Sequence, residues 1–65
     1  MNPCNRDDLF IGQTVDIVLK KDQGSNKRTR GKIKRILTNS KYHSRGIKVM
    51  LEENDAVGRV VAIVM

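Results

Sequence analysis

The chain has few of the residue types on which many protein sites depend. Its 65 residues include one cysteine, one histidine, one proline, no tryptophan and two aromatic residues, Phe10 and Tyr42. Cys4 has no second cysteine with which to form an internal disulfide, so the composition indicates a reducing, cytoplasmic setting. Since a structural zinc site needs four ligands, Cys4 and His43 do not suffice for one, and no metal or other cofactor is expected.

Further absences argue against a membrane protein and against an enzyme. No apolar run approaches the roughly 18–20 residues that span a bilayer, and the first residues, MNPCNRDD, do not resemble a signal peptide. The five glycines are dispersed, so they form no phosphate-binding loop of known spacing. The acidic pairs Asp7–Asp8 and Glu52–Glu53 have no partner pattern for general acid–base chemistry. We therefore expect no catalytic residues.

A chain of this length predicts one domain with one thin core, built from valine, isoleucine and leucine. Residues 1–11 are mostly polar and are predicted to form an N-terminal arm that ends in an apolar plug, Leu9–Phe10–Ile11. Residues 12–65 are predicted to form the single folded domain.

Two segments alternate between apolar and polar residues with the period of a half-buried strand. They are TVDIVLK, with Val15, Ile17 and Leu19 facing inward, and IKVMLE, with Ile47, Val49 and Leu51 facing inward. Polar loops, residues 21–29 and 38–45, separate the apolar segments.

The segment RGKIKRIL, residues 30–37, is ambiguous between a short helix and a strand. A β-bulge near Lys34–Arg35 would let both Ile33 and Ile36 face inward, and we favour this strand because both neighbours are strands. The last residues, VGRVVAIVM, fit one or two further strands. Four to five short strands with a bulge predict an all-β fold, a small antiparallel β-barrel.

The segments VDIVLKKDQ, TRGKIKRILTNS and GIKVMLEENDAVGRV, in that order and spacing, resemble the YwbE-like family of very small bacterial and archaeal proteins. The similarity extends from about Gly12 to Val60. The resemblance implies a small SH3-like (KOW-like) barrel. It implies no established activity and no catalytic residue.

Positive charge is concentrated in the middle of the chain. Eleven of the 13 lysine and arginine residues lie between Lys20 and Lys48, a stretch with one acidic residue, Asp22. On the predicted bulged strand, alternate positions of the outer face are occupied by Arg30, Lys32 and Lys34. Lys48 faces the same way on the next strand. Like charges on neighbouring strands destabilise a sheet, and a polyanion would remove that cost. We expect these cations to form one continuous band.

This pattern predicts a non-catalytic module that binds RNA or another nucleic acid mainly through phosphates. The candidate binding residues are Lys27, Arg28, Arg30, Lys32, Lys34, Lys41, Tyr42, Arg45 and Lys48. Tyr42 either stacks on a base or packs over the mouth of the barrel. Because aromatic residues are so few, sequence-specific base reading is not expected. Three alternatives remain: a merely solvated basic face, a basic face that binds an acidic protein partner, and a protein-interaction module or homodimer that docks through the apolar tail Val60–Met65.

Overall fold

Four antiparallel strands close into a barrel in the computed structural model, which describes residues 2–25 and 27–64. The strands are β1 (Thr14–Leu19), β2 (Thr29–Ile36), β3 (Lys48–Leu51) and β4 (Val57–Ile63), and 3₁₀ turns occupy Arg6–Asp8, Lys20–Asp22 and Glu53–Asp55. The predicted all-β antiparallel barrel is confirmed, with four strands, and is consistent with an SH3-like barrel. The described residues contain no helix of the length and apolarity needed to cross a membrane. Met1, Asn26 and Met65, which fall in the predicted arm, first loop and apolar tail, lie outside the described residues.

Alternating apolar residues fill the barrel, as the period-two pattern predicts. The fully or almost fully buried core consists of Leu9, Val15, Ile17, Ile33, Ile47, Val49, Leu51 and Val60. Leu19 is partly buried and packs against this cluster. Because every strand contributes at least one branched aliphatic side chain to this cluster, one small core holds all four strands together.

The bulged strand predicted over the ambiguous segment is confirmed. The pairing of β2 with β3 shifts between Ile33, which lies opposite Leu51, and Arg35, which lies opposite Met50. The extra residue between them lets Ile33 be fully buried while Ile36, three positions later, also packs against the core. Under strict alternation, two residues three positions apart would face opposite sides of the sheet. The bulge therefore lets both isoleucines face the core.

The C-terminal apolar segment forms one strand, β4, and not two. It pairs with β1 along one edge and with β3 along the other. Gly58 and Arg59 are therefore paired on both sides, whereas Ala62 and Ile63, nearer the end of the strand, are paired with β1 alone among the described strands.

The N-terminal arm lies against the barrel, and its apolar plug is smaller than predicted. Leu9 is buried, but Phe10 and Ile11 are 56% and 59% exposed. They sit on a tight turn around Gln13, which is 2% exposed and whose side-chain amide bonds with the Phe10 N–H and the Asp8 carbonyl. The prediction that all three residues plug the barrel is wrong, because this turn points two of them outward.

Candidate nucleic-acid interface

Arg30, the first predicted cation on β2, is paired with a carboxylate. Asp16 lies directly opposite on β1, and the Arg30 Nε donates a hydrogen bond of 2.9 Å to Asp16 Oδ1. This bond lowers the pKa of the Asp16 carboxyl; partial burial opposes the shift, and the charges of Arg30 and Arg28 add to it. Asp16 is therefore ionised at neutral pH and compensates the charge of Arg30.

The acidic turn Glu53–Asp55 lies beside Lys32 and Lys34 of β2, two of the predicted binding residues. Lys34 Nζ lies 2.7 Å from Asp55 Oδ1, and the Lys32 backbone N–H donates to Glu53 Oε2 at 3.3 Å. Asp55 is in the left-handed region, with a φ of 51°. The expected continuous band is thus divided, because Arg30 and Lys34 are each paired with a carboxylate.

A second group of cations borders three adjoining depressions around Val18, on the outer face of β1 and β4. Their volumes are about 380, 380 and 340 Å³. Val18 and Val61 form the floor, and the loop residues Gln23–Ser25 form one wall. We call this surface the basic groove. Its cationic residues are Lys20, Arg28, Arg45, Lys48 and Arg59.

Strand register places Arg59 at the centre of the basic groove. It lies opposite Val18 on β1 and opposite Lys48 on β3, so two positive side chains are cross-strand neighbours. Arg59 Nη1 donates a hydrogen bond of 3.2 Å to the Gly46 carbonyl, which holds the guanidinium beside Arg45. Among residues 2–25 and 27–64, no aspartate or glutamate lines the depressions. The cross-strand neighbours Arg59 and Lys48 therefore form an unfavourable like-charge contact, whereas the charge of Arg28 interacts with the Asp16 carboxylate.

The N-terminal segment fixes the loop that carries Arg45. The loop N–H groups of His43 and Ile47 donate to the carbonyls of Cys4 and Pro3, at 2.9 and 3.0 Å. Arg6 adds two bonds, from its backbone N–H to the Lys41 carbonyl and from its Nε to the Thr38 carbonyl. We call residues 3–6 the N-terminal strap. It ties residues 38–47 to the barrel and so limits where Arg45 can lie.

The candidate residues fall into three places. Arg28, Arg45 and Lys48 meet in the basic groove. Arg30, Lys32 and Lys34 lie on β2, where Arg30 and Lys34 are paired with carboxylates, whereas Lys27 lies exposed in the loop before β2. Lys41 and Tyr42 lie in the strapped loop, where Tyr42 is 61% exposed and forms an isolated β-bridge with Asn5. Which of these residues bind a ligand stays a prediction.

Sequence reasoning left Lys20 and Arg59 out of the candidate site. Arg59 is a single cation within the apolar segment VGRVVAIVM, and it immediately precedes the buried Val60. An isolated cation at an outward position of an apolar strand is the signal that points to it. Lys20 follows the last residue of β1, and only the position of the next loop brings it to the groove.

Comparison with known proteins assigns the chain to a family without assigning an activity. A family model described as "Uncharacterized conserved protein (DUF2196)" matches residues 2–63. The chain is 50% identical over 64 residues to "Uncharacterized protein YwbE" of Bacillus subtilis (strain 168), covering 98% of this chain and 97% of the relative. No solved structure matches. The match over almost the whole length shows that this chain belongs to the YwbE-like family, DUF2196.

Proposed function

We propose that this protein is a non-catalytic module that binds RNA, or another nucleic acid, through backbone phosphates in the basic groove. One observation carries the proposal: five cations border a groove that no carboxylate of the described residues lines. Bound phosphates would replace repulsion between neighbouring cations with attraction and would release counterions from the nucleic acid.

The chemistry of the groove suits phosphate. Arg59 uses one guanidinium N–H on the Gly46 carbonyl, and its remaining donors are available to a phosphate oxygen. Arg45 lines the same depression, so two planar guanidinium groups border one space. Arginine binds phosphate oxygens in a bidentate manner, and a side chain already held in place loses less entropy on binding.

The test compares two variants that each remove one positive charge. Arg59→Gln changes the centre of the basic groove, and Lys34→Gln changes a cation already paired with Asp55. Fluorescence anisotropy measures their affinity for a labelled single-stranded RNA of about 12 nucleotides, a length within the range covered by small barrels. We expect Arg59→Gln to weaken binding by about tenfold, the loss of one charge-assisted hydrogen bond. We expect Lys34→Gln to change the affinity for RNA by no more than about twofold, because Asp55 already compensates the charge of Lys34 and exposed charges contribute little.

Either of two results contradicts the proposal. In one, the wild-type protein does not bind RNA or DNA oligonucleotides at low salt. In the other, the two variants weaken binding equally, which would assign the affinity to overall charge and not to the groove.

A further inference from the structure

We infer that the basic groove binds one single strand by its sugars and phosphates, with the bases turned outward. This inference rests on the proposed nucleic-acid binding and specifies its ligand. It follows from the order of the depressions, from the charge of the neighbouring face and from the chemistry of the groove floor.

The lining residues order the three depressions along β4. The depression at Lys48 and Gly58 shares Arg59 with the central one, and the central one shares Val61 with the depression at Arg28. The two outer depressions have one lining residue in common, Val18. This order follows β4 from Val57 to Val61, a span of about 13 Å at the rise of a β-strand. A single extended backbone fits such a span, with cations along its length.

The neighbouring face does not suit a second backbone. A duplex presents two phosphate strands, but the β2 face carries the carboxylates of Asp16 and Asp55, and the Glu53 carboxylate lies against its backbone. These carboxylates would repel a second line of phosphates, and two of them already pair with Arg30 and Lys34. Charge therefore favours one strand over two.

The floor offers no surface for base stacking. Val18 and Val61 are aliphatic, and neither aromatic residue of the chain, Phe10 or Tyr42, lines the groove. Single-strand binding proteins that hold bases do so largely by stacking them on aromatic rings. Without a ring, the valines contact sugars, and the ligand is recognised without regard to base sequence.

The experiment compares three labelled RNAs of equal nucleotide number: oligouridylate, oligocytidylate and a hairpin that is base-paired along its length. Anisotropy titrations are made at several salt concentrations with the wild type, Arg59→Gln and the control Lys34→Gln. We expect the two single strands to bind within about threefold of each other and the hairpin to bind at least about tenfold more weakly. If each depression holds one phosphate, a plot of the logarithm of the binding constant against the logarithm of the salt concentration has a slope of about −2. Each phosphate of a single strand contributes about −0.7 to that slope.

The possible failures separate the inference from the proposed function. A hairpin that binds as tightly as the single strands, with the same loss in Arg59→Gln, overturns single-strand selection and leaves nucleic-acid binding in place. If the protein strongly prefers oligouridylate or oligocytidylate, recognition through the backbone only is overturned, and nucleic-acid binding stays in place. If none of the RNAs binds, the proposed function fails with the inference.

Discussion

Asp16 and Arg30 lie directly opposite each other on β1 and β2, with Arg30 Nε 2.9 Å from Asp16 Oδ1. The hydrogen bond lowers the pKa of the Asp16 carboxyl in the folded protein. A carboxyl whose folded pKa is below its unfolded value stabilises the fold at pH above the unfolded value, about 3.9. That contribution is lost as the pH falls through the folded pKa.

The Asp16→Asn variant tests this pair. We expect it to be less stable than the wild type near neutral pH, because amide nitrogen or neutral oxygen replaces a charged acceptor. We expect the difference to begin to shrink below about pH 4 and to disappear once the pH falls through the lowered folded pKa, where the wild-type carboxyl also becomes neutral. Urea unfolding at a series of pH values measures it. A difference that is the same at all pH values would show that Asp16 acts through packing and not through its charge.

Gly46→Ala should destabilise the fold strongly. Gly46 has a φ of 101°, and a Cβ at this position would collide with the Val60 carbonyl oxygen. Gly24 has a similar φ of 92° but open space around it, so Gly24→Ala is the matched control for backbone strain alone. We expect Gly24→Ala to lower the free energy of unfolding by about 1–2 kcal/mol, and Gly46→Ala to lower it by at least about 2 kcal/mol more. Thermal or urea unfolding measures both, and equal costs would contradict the close approach of Gly46 to β4.

Arg6→Ala should loosen the N-terminal strap. The lost bond from Arg6 Nε to the Thr38 carbonyl is partly buried, and we expect it to cost about 1 kcal/mol. The amides of His43 and Ile47, which bond to the strap, should exchange faster with solvent deuterium. Asp7→Ala is the control, because Asp7 is exposed and lies beside Arg6 in the same turn. Unchanged exchange at both amides in Arg6→Ala would show that the strap does not depend on this side chain.

Asp55→Asn should strengthen nucleic-acid binding, if the proposed function is correct. The change releases Lys34 from its carboxylate, and asparagine tolerates the left-handed backbone at this position. Since both side chains of the pair are well exposed, we expect a gain of only about two- to threefold in affinity. Asp7→Asn makes the same change in net charge away from this pair. An equal gain in both variants would mean that net charge alone is responsible.

The inward residues could be predicted because they depend on local alternation. Val15, Ile17 and Val49 repeat with a period of two within their own segments, and sequence shows that period directly. The bulge in β2 could also be predicted, because Ile33 and Ile36 are separated by one residue more than alternation allows.

The charge pairs could not be predicted in the same way, because they depend on register between distant segments. Lys34 and Asp55 are 21 positions apart, and only the positions of the barrel strands and the turn after β3 bring them together. For the same reason, sequence gives the number of positive charges but does not show which have a carboxylate beside them. Arg59 joins Lys48 only through the pairing of β3 with β4.

The most direct measurement is a titration of the ¹⁵N-labelled protein with single-stranded RNA, followed by the shifts of its backbone amide resonances. We expect the largest shifts at Val18, Arg45 and β4 residues Gly58–Val61, with little change at Lys32 and Lys34. Shifts concentrated on the outer face of β2 would contradict binding in the basic groove, and the absence of any shift would contradict nucleic-acid binding by this protein.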